Sequence, residues 1–446
     1  MKRIHFVAIG GSAMHNLALA LIEKGYQVTG SDDIIFEPSK TRLKNRGLLP
    51  ETFGWFPEKI TSEIDEIILG MHAHDDNPEL KKAKELGLKI FSYPEYLYHQ
   101  SKDKNRVVIA GSHGKTTITS MVLHVLNDCK KEIDFMVGAQ LKGFDIMVKL
   151  THQNNTIILE GDEYLSSTLD KRPKFLHYKP NVALISGISW DHINVFPTFE
   201  IYLTQFKLFI DSIEDGGTLI YNELDQELVK LVKSCKKQIK KIAYSTPVHQ
   251  IKEEETFLVV DTKNIPLKFF GNHNLNNLEG ARVVCNELGI ANEDFYTAIQ
   301  SFTGASKRLE RINNNPIVFK DFAHAPSKVI STTIAVKNQY KSKIIVACLE
   351  LHTYSSLNKE FLNEYRNSLN KADIKIVFYS KEALEIKRME VISPNFIKEC
   401  FNTNDLEVYT NTLELENRIK GIETNNTVFL FMSSGNYGGL DLAELF

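Results

Sequence analysis

Short apolar runs closed by glycine or polar residues alternate, along nearly the whole chain, with stretches whose apolar positions recur every three or four residues. The short runs read as buried strands and the amphipathic stretches between them as helices. Residues 4–9 predict a strand, 10–13 a turn, 14–24 a helix and 27–30 a second strand, which is a βαβ opening. Further strands are expected at 66–70, 89–92, 107–109, 156–159 and 182–185. Helices are expected at 118–128, 199–214, 225–240 and 278–288, with short strands between 242 and 270. The last third alternates again: strands at 317–319, 343–348, 374–379 and 428–432, and helices at 327–338 and 358–370. Strand and helix in regular succession predict an α/β protein built on doubly wound, mostly parallel sheets.

Length divides this pattern. A chain of 446 residues exceeds what one core organises and suggests about three domains. The polar stretch 100–106 and the basic, glycine-bearing stretch 302–311 are the natural boundaries, giving domains at 1–103, 104–304 and 305–446. No internal repeat or low-complexity stretch interrupts them. A net charge of -3 gives no general reason to expect nucleic acid or an anionic membrane as partner. The five cysteines never form a C-x-x-C pair, so they suggest buried thiols and neither a disulfide framework nor a zinc cluster. The N-terminal apolar run stops at Gly10-Gly11, too short for a signal segment, and no run has the length of a membrane helix. A cytoplasmic location is the resulting expectation.

Candidate chemistry gathers where strands end. Gly111-Ser112-His113-Gly114-Lys115-Thr116-Thr117 lies between a strand and a helix, the pattern of a loop that cradles phosphates with backbone N–H groups, reaches them with lysine and ligates Mg²⁺ with a hydroxyl. Ile109 stands where the longer form of that loop has its first glycine, so the loop is short. Gly10-Gly11-Ser12, with Ser31-Asp32 ending the second strand, suits a dinucleotide, another nucleotide or a plain turn. The loop with His72, His74, Asp75, Asp76 and Asn77 edges a ligand crevice or, less economically, holds a metal. Glu160 and His192 follow strands after the phosphate loop, where a carboxylate beside Mg²⁺ and an imidazole beside a second cation are chemically apt. The cluster Gly271-Asn272-His273-Asn274 with Asn277 reads an adenine edge or caps a helix. Arg308 is a charge that closes on a phosphate or belongs to a solvated run.

Taken in order, these motifs resemble the Mur ligases of peptidoglycan synthesis over the whole chain. The resemblance implies a Rossmann-like UDP-binding domain, a central P-loop ATPase domain with a mostly parallel sheet, and a C-terminal Rossmann-like α/β domain. It implies UDP-N-acetylmuramate binding by Gly10, Gly11, Ser12, Met14, Ser31, Asp32, His72 and Asn77. ATP would be bound by Gly111 to Thr117, His273, Asn274, Asn277, Arg308, Asp321 and His324. Thr116, Glu160 and His192 would hold Mg²⁺, with Mn²⁺ as the alternative, and Lys115, His192 and Arg308 would be catalytic. His352, Tyr354 and Asn436 are weaker candidates for contacting the amine substrate. The stretches Phe36-Glu37-Pro38-Ser39, Asp162-Glu163-Tyr164, 169–178 and 432–439 resemble the recycling branch, which joins UDP-N-acetylmuramate to L-alanyl-γ-D-glutamyl-meso-diaminopimelate. The alternative is the branch that adds L-alanine.

Three positions depart from the family pattern: Ser189 replaces an acid, Ala325 replaces a second histidine, and Glu350-Leu351-His352-Thr353-Tyr354 lacks an arginine for a diaminopimelate carboxylate. Lys207 lies near the place of a carbamylated lysine in some relatives, but Phe206 occupies the matching position, so none is assigned. The expected reaction is amide formation through an acyl phosphate. Because Arg308 and Asp321 lie outside the loop domain, closure on ATP is expected too.

Overall fold

The computed structural model describes every residue except 72, 141–143, 145, 191–194, 305–307 and 404. The chain folds as two compact units, one of residues 1–188, 195–244 and 283–290 and the other of 189–194, 245–282 and 291–446. Among the described residues no helix is long and apolar enough to cross a membrane.

The first unit holds two sheets. Strands β1 (Arg3–Val7), β2 (Gln27–Ser31), β3 (Glu66–Leu69) and β4 (Lys89–Ser92) form a parallel sheet in the order β2-β1-β3-β4. The second sheet contains β5 (Asn105–Ala110), β6 (Asp134–Met136), β7 (Val148–Lys149), β8 (Thr156–Gly161), β9 (Val182–Ile185), β10 (Thr218–Asn222) and β11 (Lys240–Tyr244). Its order is β11-β10-β9-β5-β8-β6-β7, parallel except for the β6–β7 pair. Strand β5 lies between β8 and β9 with Val107 to Ala110 fully buried, as a continuous apolar run in a parallel sheet must be. Its register sets Ile109 beside Glu160 and Ala110 beside both Gly161 and Ile185. The C-terminal ends of three strands therefore meet at the phosphate loop.

In the second unit, β12 (His249–Lys252), β13 (Glu255–Val260) and β14 (Lys263–Leu267) make a small antiparallel sheet. Strands β15 (Glu310–Asn314), β16 (Ile317–Asp321), β17 (Ile344–Glu350), β18 (Ile374–Phe378), β19 (Leu406–Tyr409) and β20 (Thr427–Met432) form the last sheet. Its order is β15-β16-β20-β17-β18-β19, and only the edge strand β15 is antiparallel. The α/β class and mostly parallel sheets agree with the pattern of the sequence.

Several elements differ from expectation for identifiable reasons. Arg106, at the end of the polar stretch read as a linker, is buried in β5. Its guanidinium donates to the carbonyls of Ser101, Lys102, Lys104, Tyr178 and Lys179 and to Glu214 at 2.9 Å. The expected helix at 358–370 is only a 3-10 turn, Leu362–Tyr365. Asparagines break it: the Asn358 side chain accepts from Glu360 N at 2.8 Å, and Asn367 sits at φ +60°. The helix expected to follow the cluster 271–277 instead starts at Asn272 and runs to Glu287, so Asn274, Asn276 and Asn277 are helical and buried. The helix expected at 225–240 ends at Ser234, and Lys240–Tyr244 pairs with β10.

Candidate functional site

Between β5 and the helix Lys115–Asp128 the chain turns through two glycines in the left-handed region, Gly111 at φ +125° and Gly114 at φ +81°. Glycine is required at 111 for space as well, because a Cβ there would lie 2.2 Å from Ser186 Oγ and 2.9 Å from Ser186 N. Ser112 N donates to Gly187 O at 3.0 Å, which pins the loop to the end of β9. The result is a helix N-terminus with no side-chain cap, the kind of end whose first N–H groups can receive an anion.

Lys115 begins that helix. Its ammonium donates to Gly111 O at 2.7 Å and pairs with the buried Glu163 carboxylate. Burial opposes the charge on Lys115, but Glu163 and Asp162 outweigh it and hold the ammonium above its ordinary value. Thr116 Oγ1 donates to Glu160 Oε1 at 2.8 Å, while Glu160 Oε2 accepts Gly138 N at 2.9 Å. A buried hydroxyl and a buried carboxylate in contact are hard oxygen donors of the kind Mg²⁺ takes. His192 lies outside the described residues. Beyond Glu163, Asp162 receives Lys174 at 2.6 Å. Burial pushes the Asp162 carboxyl up, yet Lys174 and Lys115 dominate and bring it down to about 2.

On the first sheet, Gly10 N donates to Asp32 Oδ2 at 2.6 Å and Gly11 starts the helix Ser12–Glu23, also without a side-chain cap. Asp32 is 3 % exposed; burial pushes its carboxyl up to about 6, against the opposing Gly10 N–H. Ser31 and Met14 are buried beside this turn, and the Ser31 hydroxyl has no hydrogen-bond partner. Asn77 is a cap: its side chain accepts from Glu79 N at 3.0 Å and Leu80 N at 3.1 Å. His72 lies outside the described residues.

In the second unit, Asp321 ends β16 with Oδ1 accepting Ala323 N at 3.1 Å and Oδ2 accepting Thr332 Oγ1 at 2.9 Å. The Arg308 guanidinium lies over the Phe322 ring, 4.8 Å from its centroid, and His324 Nδ1 is 2.8 Å from Phe322 O. Gly271 is left-handed at φ +92°, and a Cβ there would meet Ala335 Cβ at 2.6 Å. His273 lines a cavity of about 470 Å³ with His249, Gly271, Asn272, Ser331 and Asn338. Burial lowers the His273 pKa, although Asp321 opposes it. Asn274 Nδ2 donates to Phe270 O at 2.9 Å, and Asn277 is buried. At the end of β17, Glu350 accepts from Tyr437 N at 2.9 Å and from Ser433 Oγ, and His352 Nδ1 stands 3.7 Å from it. Tyr354 is exposed with Lys387 5.4 Å from its ring, and Asn436 is exposed.

Comparison with known proteins decides the family. Residues 3–105 match the Mur ligase family, catalytic domain, and residues 109–285 the Mur ligase middle domain. A UDP-N-acetylmuramate–L-alanine ligase of Caldicellulosiruptor bescii is 31% identical over 84% of this chain and 83% of its own. The chain belongs to the Mur ligase family. A UDP-N-acetylmuramate–L-alanyl-γ-D-glutamyl-meso-2,6-diaminoheptandioate ligase of Haemophilus influenzae is 27% identical over 99% of this chain and 98% of its own. The crystal structure of a UDP-N-acetylmuramate–alanine ligase of Thermotoga maritima superposes with a TM-score of 0.70, at 21% identity, over 98% of this chain and 96% of its own.

Mur ligases are ATP-dependent amide-bond ligases with three α/β domains, and this chain is one of them. Within this Mur ligase the geometry adds residues that sequence reasoning left out of the candidate site. Glu163 and Asp162 neutralise Lys115, Ser186 closes the loop from β9, and Lys174 returns to Asp162. Their one sequence signal was the acidic run at the end of β8, which named Glu160 without saying which neighbour would turn inward. Glu350 was read as part of a loop but ends β17 as a buried carboxylate.

Proposed function

We propose that this Mur ligase phosphorylates the lactyl carboxylate of UDP-N-acetylmuramate with ATP and joins the acyl phosphate to the amine of the tripeptide L-alanyl-γ-D-glutamyl-meso-diaminopimelate. The observation that carries the acyl-activation step is Lys115, held on a left-handed glycine loop between Gly111 O and the Glu163 carboxylate. Carboxylate attack on a triphosphate brings anion to anion, so catalysis is chiefly neutralisation and positioning. Lys115 would exchange Glu163 for the γ-phosphate, and the N–H groups of the helix N-terminus would hold the phosphates in line. Thr116 and Glu160 are proposed to hold Mg²⁺, which when bound neutralises phosphate charge. Arg308, Asp321 and His324 are proposed as further nucleotide contacts, and Asn274, Asn277 and His273 as adenine-side residues. Gly10, Gly11, Ser12, Met14, Ser31 and Asp32 are proposed for the UDP-sugar. The amine would lose its proton, attack the acyl carbon and release phosphate, near His352, Tyr354 and Asn436.

The tripeptide is supported by 162–164 and 169–178, which resemble the recycling branch, and the segment that contains them is folded as a tight unit. Leu165 bridges Pro173, Ser166 N donates to Arg172 O, and Lys174 N donates to Tyr164 O. L-alanine is the second reading, favoured by the relative from C. bescii, which is an L-alanine ligase. Phosphate release with UDP-N-acetylmuramate, Mg²⁺ and ATP, offered either amine, separates the two. Release with L-alanine alone would overturn the tripeptide, and release with neither would overturn the ligase reading of this substrate.

A further inference from the structure

We propose that Glu95, Asp170 and His177 form a site for one divalent cation of the zinc class, tying the loop that leaves β8 to the helix Tyr93–Ser101 beside the first sheet. One ligand atom from each residue lies within 4.8 Å of the other two. His177 is 8 % exposed, and its Nε2 makes no hydrogen bond although it stands 3.1 Å from Asp170 Oδ2. A buried imidazole nitrogen pointed at a carboxylate oxygen is a pair of donors that a cation can share. The His177–Asp170 distance of 3.1 Å is near the separation of two ligands on a tetrahedral zinc, about 3.4 Å for metal–ligand bonds of about 2.1 Å, and Glu95 would move in to complete the set.

Both carboxylates are already oriented. Glu95 Oε2 is engaged by Ser92 N at 2.9 Å and Ser92 Oγ at 2.8 Å in a capping box, which leaves Oε1 directed at the cluster. Asp170 Oδ1 accepts Arg172 N at 3.0 Å, and Asp170 N donates to Ser167 Oγ at 2.9 Å. One imidazole and two carboxylates are a borderline donor set, which prefers Zn²⁺ to Mg²⁺. This set is separate from the oxygens of Thr116 and Glu160.

A built-in competitor makes the proposal sharp. The Arg172 guanidinium reaches Asp170 Oδ2 at 2.7 Å and Glu95 Oε1 at 3.3 Å, so it supplies positive charge to the same two carboxylates. Its side chain is 61 % exposed and free to withdraw to water when a metal enters. The cation and Arg172 would therefore alternate. Either one fastens the loop whose other end holds Asp162 to Lys174, alongside the hydrogen bond from Thr168 Oγ1 to Ala73 O at 3.0 Å.

Calorimetric titration of the metal-stripped full chain with Zn²⁺ tests this. Wild type should bind one equivalent through this cluster, His177→Ala should lose that equivalent, and Arg172→Ala should bind it at least about tenfold more tightly because a competing charge is gone. Zn²⁺ binding that neither substitution alters, or no binding at all, would overturn the site. Should His177→Ala fail to fold, the Arg172→Ala arm decides alone, and unchanged affinity there overturns the proposal.

Discussion

Two strand–glycine–helix turns in the first unit, Gly111 to Thr117 and Gly10 to Ser12, look alike in sequence and are built in opposite ways. At the first, positive φ is carried by glycines, and a lysine ammonium is stored against two carboxylates. At the second, positive φ falls on Ala8, no lysine follows, and a carboxylate, Asp32, already accepts the Gly10 N–H. On the proposed reading, a loop that exchanges a carboxylate for a triphosphate keeps its cation in place beforehand. A turn with an acid already on its backbone has less positive potential to offer and suits a ligand held through sugar and base contacts as well. Equal glycine content therefore does not mean equal electrostatic purpose.

The largest expected effect is at Lys115. Lys115→Ala removes the lysine of the loop and should lower kcat/KM by about 10³-fold or more, read as phosphate release with either amine; activity within tenfold of wild type would take the loop out of the reaction. Next comes the contrast between glycines. Gly111→Ala meets both a φ of +125° and Ser186 atoms at 2.2 and 2.9 Å, and should cost about 3 kcal/mol or more in urea unfolding. Gly11→Ala has φ −58° and meets only Met14, its Cγ at 3.5 Å and its Cβ at 3.8 Å, so its stability should stay within about 0.5 kcal/mol of wild type. Equal losses at the two positions would erase the difference drawn between the turns.

How far the residues revealed this in advance follows from what each signal encodes. The strand–loop–helix at 107–128 was legible because apolar runs and glycines report local geometry, and parallel sheets demand continuous burial. Lys115 and Thr116 could be named for the same local reason. Glu163 was not legible as a partner, because which of the three acids at 160–163 pairs with Lys115 depends on register with β5 and on Tyr202, 3.3 Å away. Arg106 was misread because a charged residue in a polar run signals solvent unless distant carbonyls converge on it, as those of Tyr178 and Lys179 do. The asparagines of 272–277 misled for a further reason: their side chains favour caps in isolation, but packing placed them inside the helix.

Asp32 offers a smaller, pH-dependent distinction. Its carboxyl is pushed up to about 6 in the fold, so between about pH 4 and pH 6 the folded chain binds more protons than the unfolded one. This residue's contribution to stability is thus greatest in acid and falls as pH rises through that window, by up to about 3 kcal/mol at about 1.4 kcal/mol per unit. Asp32→Asn retains an oxygen for the Gly10 N–H and should remove that slope from unfolding free energies measured across pH 4 to 7. A slope unchanged by the substitution would show that Asp32 titrates normally, and the electrostatic part of the contrast would then rest on the lysine alone.

The smallest effect separates structure from recognition at the edge of the first sheet. Asn77 was expected to meet the UDP-sugar, yet its side-chain oxygen already accepts from Glu79 N and Leu80 N at the start of the helix Pro78–Glu85. Asn77→Ala should therefore cost about 1 kcal/mol of stability through the lost cap, whereas Asn77→Asp and Asn77→Ser, which also cap, should retain most of it. If capping is its whole role, the KM for UDP-N-acetylmuramate follows stability, and the capping variants behave as wild type. If the amide nitrogen also touches substrate, Asn77→Asp raises KM at unchanged stability, because a carboxylate cannot donate and would face the diphosphate with like charge. The second outcome would make this helix N-terminus, with the Gly10 turn, a shared holder of the UDP-sugar, and would sharpen its contrast with a phosphate loop that works through one lysine.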